Sequence, residues 1–217
     1  MKTDIQLKKD VMAELASDPA IHETAIGVGV RDGVVTLSGH LDTFIEKSAV
    51  ERAVRRVDGV RAIALELDIK LSPQHKRSDT EIAAAAEQAL RWNSQVPADA
   101  VRVTVDSGWV RLQGDVDWDF ERQAAYKAVR PLLGIVGISN EITLKKKPTP
   151  ADVSARIEEA LKRQAVREAN RIGIDAAGGV ITLHGNVHSW QERDAAVGAA
   201  WSVPGVQRVI SDLCVSA

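Results

Sequence analysis

The sequence predicts an α+β protein made of three tandem α-β-β-α-β modules, each a small mixed sheet with two helices on one face. The first observation behind this prediction is an internal repeat. A seven-residue segment bounded by glycines occurs three times, at Gly33–Gly39, Gly108–Gly114 and Gly179–Gly185. The second observation is constant spacing. A leucine stands 18 positions before each segment, at Leu15, Leu90 and Leu161, and a further glycine follows each segment, at Gly59, Gly134 and Gly205. Such periodicity is typical of a repeat architecture.

Each copy begins with a predicted helix, because its apolar residues recur at i, i+4 and i+8 along one helical face. These residues are Leu7, Val11 and Leu15, then Ile82, Ala86 and Leu90, then Val153, Ile157 and Leu161. An alternating strand follows, and a turn such as Asp32-Gly33 leads into a second strand. This order predicts a β-hairpin.

A second helix is predicted from about Thr43 to Val57, as the crossover between the second and third strands. Its start has the pattern of a capping box, in which a hydroxyl side chain and a Glu three residues later satisfy free backbone N–H groups. The glutamates at this position are Glu46, Glu121 and Glu192. Capping explains their recurrence without a catalytic role. In the middle copy Trp118 replaces the hydroxyl residue.

Two segments rich in proline and positive charge, at residues 71–78 and 145–150, are predicted linkers. They divide the chain into module 1 (residues 1–72), module 2 (78–146) and module 3 (149–217). A module of about 70 residues buries only a small core, so we expect the three modules to pack on one another to some extent.

The composition is that of a globular protein, with 45% hydrophobic and 27% charged residues in a chain of 217. A net charge of −2 and the lack of a basic face argue against binding to nucleic acid. The single cysteine, Cys214, excludes an internal disulfide. No long apolar run predicts a transmembrane segment. Because charges interrupt the N-terminal segment, no signal peptide is predicted, and we expect a cytoplasmic protein.

No cofactor, metal or catalytic site is predicted. Asp115 starts an acidic run that resembles a calcium loop, but Phe120 and Tyr126 stand where that loop needs Gly and Glu. His184 and His188 have the spacing of a metal pair on a helix, yet His184 falls on a predicted strand. No set of nucleophile, base and orienting residue can be assigned, so we expect a protein that is not an enzyme.

Three tryptophans stand where the other copies have polar or charged residues. Trp92 aligns with Ser17 and Arg163, Trp118 with Thr43 and Ser189, and Trp201 with Arg55 and Arg130. We therefore expect them at the surface, where an indole suggests contact with a membrane interface or a protein partner. Burial between neighbouring modules is the alternative. The candidate lipid- or partner-binding residues are Arg91, Trp92, Trp118 and Trp201.

The other two tryptophans align with different residue types. Trp109 aligns with Val34 and Val180 and is predicted to belong to the core. Trp190 aligns with Phe44 and Asp119, which leaves its position open.

The repeated pattern resembles the BON domain family. In the first copy its pieces are the segment Gly33–Gly39, the helical pair Glu46-Lys47, and Gly59-Val60 followed by Ile63. They recur in the other copies, so the resemblance covers nearly the whole chain. It implies non-catalytic modules of bacterial cell-envelope proteins, among them an osmotic-shock-inducible protein, which bind anionic phospholipid or other envelope components.

The resemblance and the tryptophans together favour a stress-associated protein that binds an anionic phospholipid surface. A scaffold for protein–protein interaction, without affinity for lipid, is the alternative hypothesis. Since no signal peptide is predicted, we expect the lipid surface to be the inner leaflet, with the protein peripherally attached to the inner membrane.

Overall fold

The computed structural model describes residues 2–145, 157, 159 and 172–215. The described residues form helices and three separate three-stranded sheets, which confirms the predicted α+β fold of three tandem modules. The chain divides into two compact units. One contains modules 1 and 2, at Lys2–Leu144, and the other contains module 3, from Lys145 onward.

The elements repeat in the predicted order. Module 1 contains helix α1 (Asp4–Ser17), strands β1 (Ile26–Arg31) and β2 (Val34–Leu41), helix α2 (Phe44–Arg55) and strand β3 (Ala62–Ile69). Module 2 contains α3 (Asp79–Trp92), β4 (Val101–Asp106), β5 (Trp109–Val116), α4 (Asp119–Val129) and β6 (Gly137–Leu144). In module 3 the described elements are β7 (Ile172–Ala177), β8 (Val180–Val187), α5 (Trp190–Trp201) and β9 (Arg208–Val215).

The predicted first helix of module 3 falls mostly outside the described residues, as do two of its predicted core positions, Val153 and Leu161. Ile157, the one predicted core position of this helix that is described, is helical and fully buried. It packs into the core of module 3, as expected for the apolar face of a helix.

The second strand is central in every module. It pairs antiparallel with the first strand and parallel with the third. This is the arrangement expected when a hairpin joins the first two strands and a helix crosses over to the third. The register also repeats, since Val35 pairs with Ile63, Val110 with Ile138 and Ile181 with Val209.

The hairpin turn of module 1 has the left-handed backbone that the Asp-Gly pair predicts. Asp32 (φ 51°) and Gly33 (φ 75°) both have positive φ, as a type I′ turn requires. The carboxylate of Asp4, the first residue of α1, accepts hydrogen bonds from both turn N–H groups, at 2.8 and 3.1 Å. Asp79 binds the turn of module 2 in the same way. The first helix is thereby tied to the hairpin in both modules.

The glycine that closes the repeated segment is required by close packing. Gly39 (φ 134°) and Gly114 (φ 142°) have backbone conformations that L side chains rarely adopt. A Cβ atom at Gly39 would lie 2.2 Å from the carbonyl oxygen of Ala25, and one at Gly114 would lie 1.9 Å from that of Ala100. Only glycine lets the central strand pass the start of the first strand so closely.

The cores lie between the helices and the inner face of each sheet. Leu7, Val11 and Leu15 of α1 are at most 2% exposed, which confirms the predicted helical face. Burial of each such side chain stabilises the fold by about 1.5–3 kcal/mol. Phe44 of α2 packs instead against the core of module 2, so modules 1 and 2 share an apolar contact.

The prediction that Trp109 belongs to the core is wrong. The inward residues of β5 are Val110, Leu112 and Val116, all fully buried. Side chains alternate between the two faces of a strand, so Trp109 lies on the outer face, where its side chain is 49% exposed.

Candidate binding site at one end of module 2

Most of the predicted site residues lie at the end of module 2 where α3 ends and α4 begins. β4 starts at Val101, which pairs with Gly114 near the end of β5. The connection from α3 to β4 and the step from β5 to α4 therefore lie at the same end of the sheet. Arg91 and Trp92 are the last two residues of α3, and Trp118 directly precedes α4. Three of the four predicted residues share this end.

Trp92 presents its indole to solvent, with 79% of its surface exposed. The neighbouring Arg91 forms an ion pair with Glu87, one helical turn earlier, with 2.5 Å between Nη2 and Oε1. The side chains of this pair are 74% and 68% exposed, so solvent screens it and it contributes at most about 1 kcal/mol. An anionic ligand could therefore compete with Glu87 for Arg91 at small energetic cost.

Trp118 occupies the N-cap position of α4 with an extended backbone, and its side chain makes no capping hydrogen bond. The indole N–H is a donor and cannot accept from the free N–H groups of the helix start. Glu121 performs half of the capping instead, since its Oε2 accepts from the backbone N–H of Asp117 at 2.8 Å and of Trp118 at 3.0 Å. Trp118 itself is half-buried.

Phe120 is a fourth residue of this end that the sequence interpretation missed. It lies in the first turn of α4 and is 55% exposed. Its aligned residue in module 1, Ile45, is also exposed, at 36%. An apolar residue on the solvent side of a helix was the available signal. We call Arg91, Trp92, Trp118 and Phe120 the aromatic end of module 2.

Trp201 does not belong to the aromatic end. It is the last residue of α5 in module 3, where it is half-buried and packs against the core of its own module. The aligned Arg55 and Arg130 are half-buried too, because long side chains cover apolar surface with their stems. The polar character of these siblings therefore did not indicate an exposed site. Trp190, whose position the sequence left open, is half-buried, and the guanidinium of Arg193 lies 5.4 Å from its ring.

A cleft of about 630 Å³ adjoins the aromatic end, between the second half of α3 and the start of β4. Arg91 and Arg102 line it together with apolar and acidic side chains. Ala83 and Ala84 form part of its wall, where the aligned residues of module 1 are Lys8 and Lys9. The small side chains of α3 thus leave room for a cleft of small-molecule size.

The described residues contain no cluster of three or more His, Cys, Asp or Glu side chains that could hold a metal ion. His184 lies instead beside Asp175, with 3.5 Å between Nδ1 and Oδ2, on the exposed face of the module 3 sheet. Within this same part of the chain, no helix has both the length and the hydrophobicity needed to cross a bilayer.

Repeated α-β-β-α-β units with surface aromatics define a modular repeat protein. The chain matches the BON domain family over residues 3–70, 78–146 and 150–217, and it belongs to that family. It is 24% identical over 146 residues to osmotically-inducible protein Y of Escherichia coli (strain K12), a match that spans 65% of this chain and 73% of that protein.

Two solved structures are also similar in part. One is CdsD, a structural protein of the type III secretion system of Chlamydia trachomatis, with 14% identity, coverage of 97% of this chain and 92% of that one, and a TM-score of 0.26. The other is the PrgH periplasmic domain, with 12% identity, coverage of 88% and 95%, and a TM-score of 0.23. TM-scores this low support no statement about the structure or function of this chain.

Proposed function

We propose that this chain is a non-catalytic, osmotic-stress-associated protein that binds an anionic phospholipid surface through the aromatic end of module 2. The observation that carries the proposal is the exposure of Trp92, at 79%, directly beside Arg91. The similarity to an osmotically inducible protein supports the association with stress. The proposed surface is the cytoplasmic leaflet of the inner membrane, which is rich in anionic lipid.

The physical basis is the chemistry of a membrane interface. An indole has an apolar ring and a polar N–H, and it is stabilised at the depth of the lipid headgroups. Trp92 and Phe120, at 79% and 55% exposed, can enter this layer without unfolding any element. A cationic side chain near an anionic leaflet adds about 1 kcal/mol of attraction, and Arg91 stands at the base of the exposed indole.

The charges around the cleft limit the strength of this attraction. Arg91 and Arg102 line the cleft, but so do Glu87 and Asp99. Two basic and two acidic side chains leave no large positive potential. We therefore expect weak, reversible attachment that depends on both the aromatic rings and the salt concentration, as for other peripheral contacts.

Co-sedimentation of the intact chain with vesicles tests the proposal. Binding is expected to vesicles that contain phosphatidylglycerol and to be much weaker with phosphatidylcholine alone. Trp92→Ala should abolish binding while leaving the thermal unfolding temperature unchanged, because the side chain makes little contact with the fold. Ile5→Ala is the matched control, since Ile5 is an exposed apolar residue (85%) of α1, outside the aromatic end.

Trp118→Ala distinguishes a lipid site from a packing role. Because Trp118 is half-buried, its removal should lower both the lipid affinity and the thermal stability. Lower stability with unchanged lipid binding would show that Trp118 serves only to pack the module. If neither the intact chain nor any variant sediments with anionic vesicles, the lipid proposal is wrong and the scaffold hypothesis gains support.

A further inference from the structure

We propose that the outer face of the module 2 sheet is a second binding site, which takes a neutral chain of β-1,4-linked pyranose sugars on the exposed ring of Trp109. This face carries no helix, because both helices of the module pack on the other side of the sheet. The site is separate from the aromatic end, and the proposal does not depend on lipid binding.

Trp109 is held flat against the sheet. A Cβ atom at Gly137, its partner on β6, would lie 2.4 Å from ring atoms Cε3 and Cζ3, so the ring rests directly over the glycine backbone. The indole N–H donates to Oγ of Ser139 at 2.9 Å, which fixes the rotation of the ring. With 49% of the side chain exposed, one face of the indole points outward as a rigid platform.

A row of fixed polar groups continues from this platform. The side chain of Glu141 forms an ion pair with Nε of Arg111 at 3.2 Å and accepts a hydrogen bond from Nε2 of Gln113 at 2.9 Å. Farther along, the hydroxyl of Thr143 donates to the carboxylate of Asp115. Outward side chains on a strand are spaced by about 7 Å. The row therefore offers donors and acceptors at regular intervals along one line from the ring.

This combination suits a sugar chain. A pyranose with equatorial hydroxyls has a flat side made of C–H groups, which are attracted to the negative face of an aromatic ring. Its hydroxyls project from the edge of the sugar ring, where hydrogen bonds to water can be replaced by hydrogen bonds to the amide, carboxylate and guanidinium groups of the row. A β-1,4-linked chain is extended and can follow the strand direction beyond the ring.

The charge of the outer face argues against the other ligands that stack on tryptophan. The outward ionisable residues of this sheet are two arginines and three acids, namely Arg102, Arg111, Asp106, Asp115 and Glu141. A face with one net negative charge offers no attraction to the phosphates of nucleic acid or of anionic lipid. A neutral polyhydroxy ligand needs no such attraction.

The platform is specific to module 2. The aligned pairs on the other sheets are Val34 with Ala62 and Val180 with Arg208. Neither combines an aromatic ring with a glycine beneath it. The tryptophan and the glycine that lets it lie flat thus occur together in the middle copy, while all three copies keep the same register.

Nuclear magnetic resonance of the indole N–H groups tests the proposal on the intact chain. Titration with cellotetraose or a tetramer of N-acetylglucosamine, into the millimolar range, should shift the indole signal of Trp109, identified by its loss in Trp109→Phe. A β-1,4-galactose tetramer, whose axial C4–O glycosidic bonds turn the chain away from the strand direction, should shift it less. Trp109→Ala should weaken sugar binding about tenfold, whereas Trp92→Ala should leave it unchanged.

The reverse substitution gives a second, independent readout. Val34→Trp with Ala62→Gly should create a new sugar-dependent indole signal in module 1. Absence of any shift of Trp109 with either sugar overturns the proposal, as does equal sugar binding by Trp109→Ala. A shift with a single-stranded oligonucleotide but not with sugar would also overturn it. Trp109→Ala is expected to bind anionic vesicles like the unaltered chain, so failure of one proposal is distinguishable from failure of the other.

Discussion

The starts of the second helices in modules 1 and 2 have the same backbone but different side chains. In module 1 the hydroxyl of Thr43 caps α2 by accepting from the N–H of Glu46, at 3.3 Å. Glu46 is only 4% exposed and accepts from the backbone N–H of His22 at 2.8 Å and of Asp42 at 3.3 Å. Phe44 is packed against the neighbouring module. This end of module 1 is closed by contacts within module 1 and with module 2.

Module 2 keeps the hydrogen bond from the backbone N–H of Asp117 to Glu121 but lacks the other contacts. Trp118 replaces the capping threonine, Pro97 replaces His22 and so offers no N–H, and Asp119 replaces Phe44 and pairs with Arg122. The backbone of α4 nevertheless starts at the corresponding residue. The difference teaches that this end of the fold tolerates loss of the hydroxyl cap and of the apolar contact while the glutamate still binds the helix start, which frees the N-cap position for another side chain.

The largest expected effect tests the backbone that both modules share. Gly39→Ala and Gly114→Ala should each lower the free energy of unfolding by about 3 kcal/mol, because both place a Cβ against a carbonyl oxygen at positive φ. Urea denaturation of the intact chain, with hydrogen exchange read in each module, measures this loss. A neutral effect in one module alone would show that the two backbones are not equivalent.

A smaller effect should separate the two glutamates. Glu46→Ala should destabilise module 1 by about 2 kcal/mol, because it removes a buried carboxylate and with it the acceptor of two backbone N–H groups. Glu121 is half-buried, so water can replace it, and Glu121→Ala should cost only about 1 kcal/mol. Denaturant midpoints provide the comparison, with Glu46→Gln as a control that keeps an acceptor. Equal losses would contradict the idea that this end is closed only in module 1.

The value of the missing cap can be measured in module 1. Thr43→Ala should lower the stability by about 1 kcal/mol, the usual contribution of a hydroxyl N-cap, and Thr43→Ser should restore it. Thermal unfolding of the three proteins is sufficient. If Thr43→Ala does not change the stability, then the presence of Trp118 at the N-cap of α4 costs module 2 no stability. The inference that its indole serves another contact then loses its support.

The smallest effect concerns the starts of the first helices at low pH. Hydrogen bonds from the backbone N–H and hydroxyl of Ser78 lower the pKa of Glu81 below its ordinary 4.5. Because the folded pKa is depressed, this stabilisation is present above pH 4.5 and is lost as the pH falls through the lower folded value. The protection of α3 amides against hydrogen exchange, taken relative to the intrinsic exchange rate at each pH, should therefore fall in acid, and Glu81→Gln should remove that response.

Module 1 provides the contrast, since Gln6 occupies the aligned position and does not titrate. Its acid-sensitive group is Asp10, whose pKa is lowered by hydrogen bonds from Lys2 and then from Gln6. Glu81→Gln should leave the acid response of α1 unaltered. An equal change in both helices would mean that the response belongs to the whole unit rather than to either helix start.

The order of elements could be predicted from the sequence because each depends on neighbours along the chain. The i, i+4, i+8 spacing of Leu7, Val11 and Leu15 defines a helical face whatever that face packs against. The turn at Asp32-Gly33 follows from the backbone freedom of those two residues. Three copies of one pattern also supplied an internal alignment, which identified the glycines that the backbone requires.

The face of a strand residue was harder to assign. Trp109 was placed in the core because valines align with it. Within β5, however, apolar Val110 and Leu112 alternate with polar Arg111 and Gln113, and Trp109 falls on the same strand face as the polar residues. The alternation was the better signal. For Trp201 no local signal sufficed, because a polar residue in a sibling does not reveal how much of its stem is buried.

By itself, the sequence determined the three modules, their α-β-β-α-β order and their membership of one pattern, because these properties arise from periodicity and from local backbone preference. The tertiary structure alone decided that Phe44 packs on the next module, that Trp92 and Phe120 share one exposed end, and that Gly137 lies beneath Trp109. Each of these features either brings together residues that are distant in the chain or depends on which side chains a neighbouring element leaves exposed to solvent. No local pattern encodes such a contact, since its free energy comes from packing between elements.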